Sequence, residues 1–472
     1  MIYLFHSFDF LRFFIILFLV FWTVPKHYKN IALLIGSYAF FASWDYRFLS
    51  MIFISTAVDY FCARAMEGKA KEQRRPYLWT SIIINLSILG FFKYYNFFIE
   101  NANAALGALG LNPSLATLNI ILPLGISFYT FQTMGYTIDV YRGKIKPVRS
   151  VVDLALFVAF FPQLIAGPIE RVKTLMPQIQ RKKSLKEIPW RRVLYLFGFG
   201  FFRKVVIADA CGRIVAELLA HPDPSGAQTV IAVYAFALQV YADFSGYTFM
   251  ARGIALCFGI TLSPNFNLPF LAKDPAEFFK RWHITLSAWI REYVYMPLFF
   301  SLPSRWPIRR LHSKQRYLTA GIIASFVTMV VFGFWHGAAW NFIFLGIYLF
   351  AAVMLFKLIR WLPTVLKRVL TFHVVWFGLF FLFRQENLAK FPELFAALPS
   401  LRLQELIQGT YWHLYTLFGL LVMYEIIIYL KKDPFWIPRS GFYTQMVFYI
   451  ILVLLAVNIG AIYDVRFVYF QF

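Results

Sequence analysis

Two stretches of this 472-residue chain place an imidazole among apolar and aromatic side chains. The first is Phe332 to Gly346, FGFWHGAAWNFIFLG, around His336, with no acid or other base for many positions on either side. The second is Phe278 to Pro297, FFKRWHITLSAWIREYVYMP, around His283. A Trp–His pair recurs: Trp282–His283 and Trp335–His336. An imidazole can take a proton from a hydroxyl near neutral pH, and a dry aromatic setting keeps its pKa from rising. An ionisable side chain at membrane depth costs about 2.5–3.5 kcal/mol on insertion scales, so it tends to face a cavity and to have a task. Gly333 and Gly337 permit close backbone approach or a break beside His336. If the second stretch is helical, His283, Ser287 and Ile290 share one side, and Trp282, Trp289 and Tyr293 an adjoining one. Asn341, one turn beyond His336, has the spacing to orient it.

The elements that hold these groups must be membrane helices. The chain is 60% hydrophobic, 20% aromatic and 15% charged, with a mean hydropathy of +0.62. Long apolar runs recur without a period of two, which points to an all-α polytopic membrane protein and away from a β-barrel. The net charge of +23 fits Lys and Arg collecting in cytoplasmic loops; no motif turns it toward nucleic acid. Cys62, Cys211 and Cys257 are scattered and suggest neither a disulfide framework nor a zinc site. No metal-ligand cluster, phosphate loop or internal repeat is apparent. The first apolar run, Phe13 to Val24, reads as a retained helix rather than a signal peptide.

Basic loops assign sides. Arg64 to Arg75 has five bases and two acids, and Arg142 to Arg149 four bases and no acid. Arg181 to Arg192 has six bases and one acid, and Arg305 to Arg316 five bases and no acid. All read as cytoplasmic. Glu100 to Asn119 and Glu386 to Trp412 read as external, as does the tail from Asp464. Val151 to Arg171 carries Pro162, Gly167 and Pro168 and reads as re-entrant. Thr229 to Ile260 reads as long and broken near Asp243, Ser245 and Gly246. About ten to twelve spans are expected, with short or re-entrant helices, in one domain over residues 1–472. The spans look poor in acids, which counts against an ion-coupled transporter or exporter.

The two histidine stretches resemble the signatures of the membrane-bound O-acyltransferase family. RWHITLSAWIREYVYMPL is similar to its bacterial branch, and FWHGAAWNFIFLG to the region of its near-invariant histidine. PQLIAGPIER (Pro162 to Arg171) and YADFSGYTFMARGIALCFGI (Tyr241 to Ile260) also resemble the alginate O-acetyltransferase branch. The motif-rich core is about 119–346, with the resemblance returning at the end. The resemblance implies acyl transfer across the bacterial inner membrane by a multi-pass protein whose helices surround a tunnel. His336 then matches the catalytic histidine and His283 the second important position. Acetyl-CoA is the implied donor, entering from the cytoplasm, with no metal. A periplasmic SGNH-type acetyltransferase or another acyl-accepting partner would finish O-acetylation of a polysaccharide such as alginate. The tail VRFVYFQF, residues 464–472 with Asp464, resembles a C-terminal motif shared with the partner peptide of teichoic-acid D-alanylation. By that likeness the Tyr469 phenol carries the acyl group.

Each candidate has a plainer reading beside it. His336 could be a buried histidine bonded to a backbone carbonyl, His283 a helix-orienting hydrogen bond, and Tyr469 an interfacial anchor. Trp335, Trp282, Ser287, Asn341 and Asp243 are candidate tunnel or substrate contacts. Asp243 and Ser245 serve equally as hydrogen bonds at a helix break. Arg171, Lys204 and Arg291 are candidates for the donor's phosphates or simple markers of the cytoplasmic boundary. His6, His27, His221, His312, His373 and His413 lie near loops or span ends and take no role. Peptidoglycan O-acetylation and teichoic-acid D-alanylation are the rival activities within the same chemistry.

Overall fold

The computed structural model describes residues 4–111, 114–164, 167–220, 224–384, 391–407 and 411–458. Among these every regular element is helical. Seven helical segments are long and apolar enough to cross a membrane by length and composition. One of them, Lys26–Ala65, contains two of the spans expected from sequence. The tail 464–472, with Tyr469, lies outside the described residues.

Two compact units divide the chain. The first comprises Met1–Trp190 and Ile254–Ser263. Its helices are α1 (Phe8–Thr23), α2 (Lys29–Asp45), α3 (Leu49–Ala65), α4 (Lys71–Leu89), α5 (Tyr95–Ala108), α6 (Ile126–Tyr141), α7 (Val151–Ala159), α8 (Phe161–Leu164) and α9 (Val172–Gln180). The α4 and α5 helices are joined by π-helical Gly90–Tyr94, so helix continues to Ala108 where sequence suggested a loop from Glu100. At about 14 Å, α7 is too short to cross a 30 Å hydrocarbon core, as a re-entrant reading requires. Its chain breaks at Phe160 before the short α8, and Glu170 of the PQLIAGPIER motif accepts from the Ser263 hydroxyl at 3.1 Å.

The second unit comprises Arg191–Gly253 and Pro264–Phe472. Its helices begin with α10 (Trp190–Phe202), which runs through π-helical Arg203–Ala208 into α11 (Asp209–Ala220). The α12 helix (Gly226–Cys257) is unbroken over 32 residues, so the break expected near Gly246 does not occur. Gly246 serves close packing instead: a Cβ there would meet Gly200 O at 2.7 Å, and one on Gly200 would meet Met250 N at 2.8 Å. Short helices α13 (Pro275–Arg281), α14 (Ile284–Ile290) and α15 (Met296–Ser301) follow. The helices α16 (Ser313–His336) and α17 (Trp340–Leu358) pack against each other as a hairpin. Its helices cross at glycines, since a Cβ on Gly333 would meet Gly346 N at 2.8 Å. The rest is α18 (Thr364–Leu379) with π-helical Phe380–Arg384, then α19 (Phe391–Ala397), α20 (Leu403–Ile407), α21 (Trp412–Lys431), α22 (Trp436–Arg439) and α23 (Phe442–Asn458).

The interior is less acid-poor than the sequence suggested. Asp59, Asp243 and Glu425 are each at most 1% exposed. Each has partners, as a buried carboxylate requires. In the first unit Asp59 accepts from Ser81, from Asn85 Nδ2 at 3.1 Å and from Thr137 Oγ1 at 3.1 Å. In the second, Glu425 accepts from the Tyr241 hydroxyl, and Asp243 pairs with Lys204.

Candidate active site

His336 is the last residue of α16 and is 6% exposed. The α16 helix ends there because Gly337 is extended, as is Ala339 before α17. The imidazole stands edge-on to three rings, with centroids at 5.0 Å to Phe332, 5.0 Å to Trp335 and 5.1 Å to Phe383. It opens on a cavity of about 20 Å³ lined by aromatic and aliphatic groups, among them Trp282, Phe278, Phe279 and Leu379. His336 is the one ionisable side chain among the described residues lining it. Space of that size holds about one water, so an acyl group enters only if the surrounding rings turn aside.

Trp282 reaches the cavity from the second stretch. It is fixed within an aromatic box, with Phe266 at 4.9 Å, Trp376 at 5.4 Å and Phe278 stacked at 5.5 Å. Here the continuous helix considered from sequence is not found. The α13 helix ends at Arg281, Trp282 is extended, and His283 takes the left-handed conformation with φ 42° and ψ 52°. Such a φ is uncommon outside glycine and persists where the surroundings impose it. The imposing element is the segment at Asn265, which is fully buried. Asn267 N–H donates to Arg281 O at 2.9 Å, Ile284 N–H donates to Asn265 O at 2.9 Å, and the Thr285 hydroxyl donates to Asn265 Oδ1 at 2.6 Å.

His283 does not line the cavity but stands behind its wall. Its ring lies 5.8 Å from Trp335 and 4.8 Å from Phe244 on α12. Trp335 thus touches both imidazoles. Burial pushes the His283 imidazole down to about 3, so it is neutral at physiological pH. That suits a group that orients its neighbours rather than one that collects protons.

The remaining sequence candidates divide. Asn341 is buried, but its amide donates to Leu382 O at 3.0 Å and makes no bond to His336. It ties α17 to the segment that lays Phe383 on the imidazole, and so acts at one remove. Ser287 is half-buried and donates to Trp282 O at 3.3 Å, which holds the bend rather than a substrate. Arg291 is exposed at the start of π-helical Arg291–Tyr295, away from the cavity lining. Asp243 does not line the cavity either. Lys204 cannot greet a phosphate as considered above: its Nζ lies 2.8 Å from Asp209 Oδ1 and 3.0 Å from Asp243 Oδ1, all buried. Next to it Arg203 Nη1 donates to Ser245 Oγ at 2.8 Å. Asp243 precedes Phe244, about 100° around α12 from it, so this ionic group fixes α12 beside the face that His283 rests on.

Sequence reasoning missed Phe332, Phe383, Phe244, Trp376 and Asn265 as walls and supports. Each sits in an aromatic-rich or loop segment with no spacing signal of its own. Among the described residues no group of three or more His, Cys, Asp or Glu could hold a metal ion.

Comparison with known proteins gives the family. The profile of the membrane-bound O-acyltransferase family matches residues 144–384, which include both histidines. A probable alginate O-acetylase of Azotobacter vinelandii is 34% identical over 412 residues, covering 84% of this chain and 78% of that protein. A peptidoglycan O-acetyltransferase of Helicobacter pylori is 34% identical over 68% of this chain and 63% of its own length. A teichoic acid D-alanyltransferase of Bacillus subtilis is 31% identical over 56% of this chain and 69% of its own. With its apolar helices, aromatic cavity and matched core, the chain is a multi-pass membrane protein and an acyltransferase that belongs to the membrane-bound O-acyltransferase family.

Proposed function

We propose that the protein moves an acetyl group from cytoplasmic acetyl-CoA across the bacterial inner membrane for O-acetylation of an extracytoplasmic polysaccharide of the alginate type. The observation that carries the site assignment is that His336 alone among the described cavity-lining residues can exchange a proton. The accepting hydroxyl gives its proton to the His336 imidazole as its oxygen attacks the thioester carbonyl. The tetrahedral intermediate collapses, the C–S bond breaks, and the imidazolium returns the proton to the departing CoA thiolate. The atoms balance: one ester forms, one thioester is lost, and His336 is restored.

Trp282 with the Phe278, Phe279, Phe332 and Phe383 rings forms the dry walls that hold the acyl group. Trp335, a substrate-contact candidate from sequence, is not among the lining residues; it packs between the two imidazoles, where His283 positions it. The acceptor is the Tyr469 phenol or a hydroxyl on a periplasmic partner of the SGNH type, which passes the acetyl group to the polymer. The basic loops support cytoplasmic entry of the anionic donor and an extracytoplasmic C-terminus. Peptidoglycan acetylation or D-alanylation would use the same steps, as the names of the Helicobacter and Bacillus relatives suggest.

The test uses membranes carrying the full chain, labelled acetyl-CoA and the His336→Ala variant. Loss of label from the envelope polymer, with the variant present at normal level, is expected. Undiminished transfer would remove His336 from the mechanism. Deleting the gene and asking which polymer loses acetate distinguishes alginate-type from peptidoglycan acetylation.

A further inference from the structure

The second unit has a larger cavity than the one at His336, and the chemistry above leaves it unused. It is a groove of about 280 Å³ between α10, α21, α22 and α23. Its walls are apolar side chains such as Phe202, Leu421, Ile437, Val447 and Ile451. No residue of α23 is buried, although the helix is as apolar as a membrane span. It therefore closes one side of the groove without filling it.

Polar groups occur at one end. Trp436 lines the groove, and its indole N–H is buried with no hydrogen-bond partner among the described residues. Next to it the Arg192 guanidinium lies over the Phe435 ring at 3.9 Å. Arg439, one turn beyond Trp436, is close enough for its charge to bear on Arg192. Lys431 and Lys432 at the end of α21 and Arg191 in the first turn of α10 are three further bases next in sequence to these groups, and Asp433 pairs with Arg439 at 2.8 Å. Like charges held together are a cost unless an anion lies between them. Indole N–H groups and basic side chains at helix ends are what a membrane interface places against lipid esters and phosphates.

We propose that this groove binds an anionic membrane phospholipid, with one acyl chain between α21 and α23 and its phosphate between Arg192 and Arg439. The Trp436 N–H donates to an ester oxygen of the same lipid. An apolar chain satisfies the walls, and one negative headgroup relieves the repulsion at the mouth. A peptide strand in the groove would bring backbone N–H and C=O groups against walls that offer them no partners. The proposal does not depend on the acyl-transfer reading.

The full chain, purified in mild detergent, should retain phospholipid, with phosphatidylglycerol enriched several-fold over its share of the source membrane by mass spectrometry. Ile451→Trp, which fills the groove, should lose most of that lipid. The double variant Arg192→Gln with Arg439→Gln should keep lipid but lose the enrichment. If Ile451→Trp does not give a monodisperse protein, Val447→Phe serves in its place. Equal lipid retention in wild type and the filled variant would overturn the site. Unchanged enrichment in the double variant would overturn the headgroup assignment. Stoichiometric co-purification of a second polypeptide that Ile451→Trp abolishes would also overturn it, in favour of a protein occupant.

Discussion

In the Trp282–His283 pair the chain bends between two short helices, and in Trp335–His336 it runs off the end of a long one. The residues are the same and the backbones differ. At the first pair the left-handed turn directs the tryptophan to the cavity and the histidine behind it. At the second the histidine faces the cavity, and the tryptophan stands between the two imidazoles. The difference teaches that a dipeptide does not carry a role. What sets the role is which of its two rings the local backbone turns toward the space where substrate can go.

The largest expected effect tests that division directly. His336→Ala removes the cavity's proton-exchanging group and should lower transfer by about 10²- to 10⁴-fold. Some loss of melting temperature in detergent is expected too, because the ring is buried against three aromatic rings, so transfer is compared at matched amounts of folded protein. A variant with both full transfer and normal stability would erase the contrast between the pairs.

Next in size is Lys204→Met. Removing one partner of a buried ion pair costs about 3–5 kcal/mol because uncompensated charge stays inside. Here two carboxylates lose their shared cation. Thermal unfolding should therefore show a large loss of stability, and Lys204→Met combined with Asp209→Asn and Asp243→Asn should recover much of it. If the triple variant is as unstable as the single one, charge is not what Lys204 supplies to α12 beside the face that His283 rests on.

Much of this arrangement was legible from residue types, and the rest was hidden for definite reasons. His336 could be found because it is isolated among apolar residues, where an ionisable group is costly. The end of α16 was legible at Gly337, read as a possible break beside His336. The bend at His283 gave no sign, since Trp282 and His283 are not turn residues and the cause lies at Asn265, 18 positions earlier. Gly246 was misread because a glycine in a helix signals a break or a close approach equally, and only the facing Gly200 decides. Lys204 and Asp243 are each visible as charges in apolar runs. Their pairing across 39 residues has no local pattern, so the ion pair could not be read and the interior seemed poor in acids.

A smaller effect separates backbone from side chain at the first pair. His283→Val forces a β-branched residue into a left-handed conformation and should cost about 1–3 kcal/mol in stability. His283→Asn accepts that conformation and should cost less. Transfer measured on both, at matched amounts of folded protein, should fall alike if the imidazole ring is needed against Trp335. If Asn retains full transfer, the position contributes its bend and not its ring.

The smallest effect is in pH, and its sign follows from burial. The folded-state pKa of His283 lies at about 3, below the 6.5 of an unfolded histidine. Below pH 6.5 the unfolded chain therefore binds a proton that the folded one refuses. Stability from keeping this ring neutral is present above pH 6.5 and is lost as pH falls below it, toward 3. Between pH 7.5 and pH 5.5 the loss should be about 1 kcal/mol. Melting of the full chain should fall across that interval by more than melting of His283→Asn, which has no proton to gain there. His336→Ala should keep the wild-type slope, because its change leaves the His283 enclosure in place. Were His336→Ala to flatten the slope and His283→Asn to preserve it, the two rings would have exchanged places: the one facing the cavity would be the one held neutral.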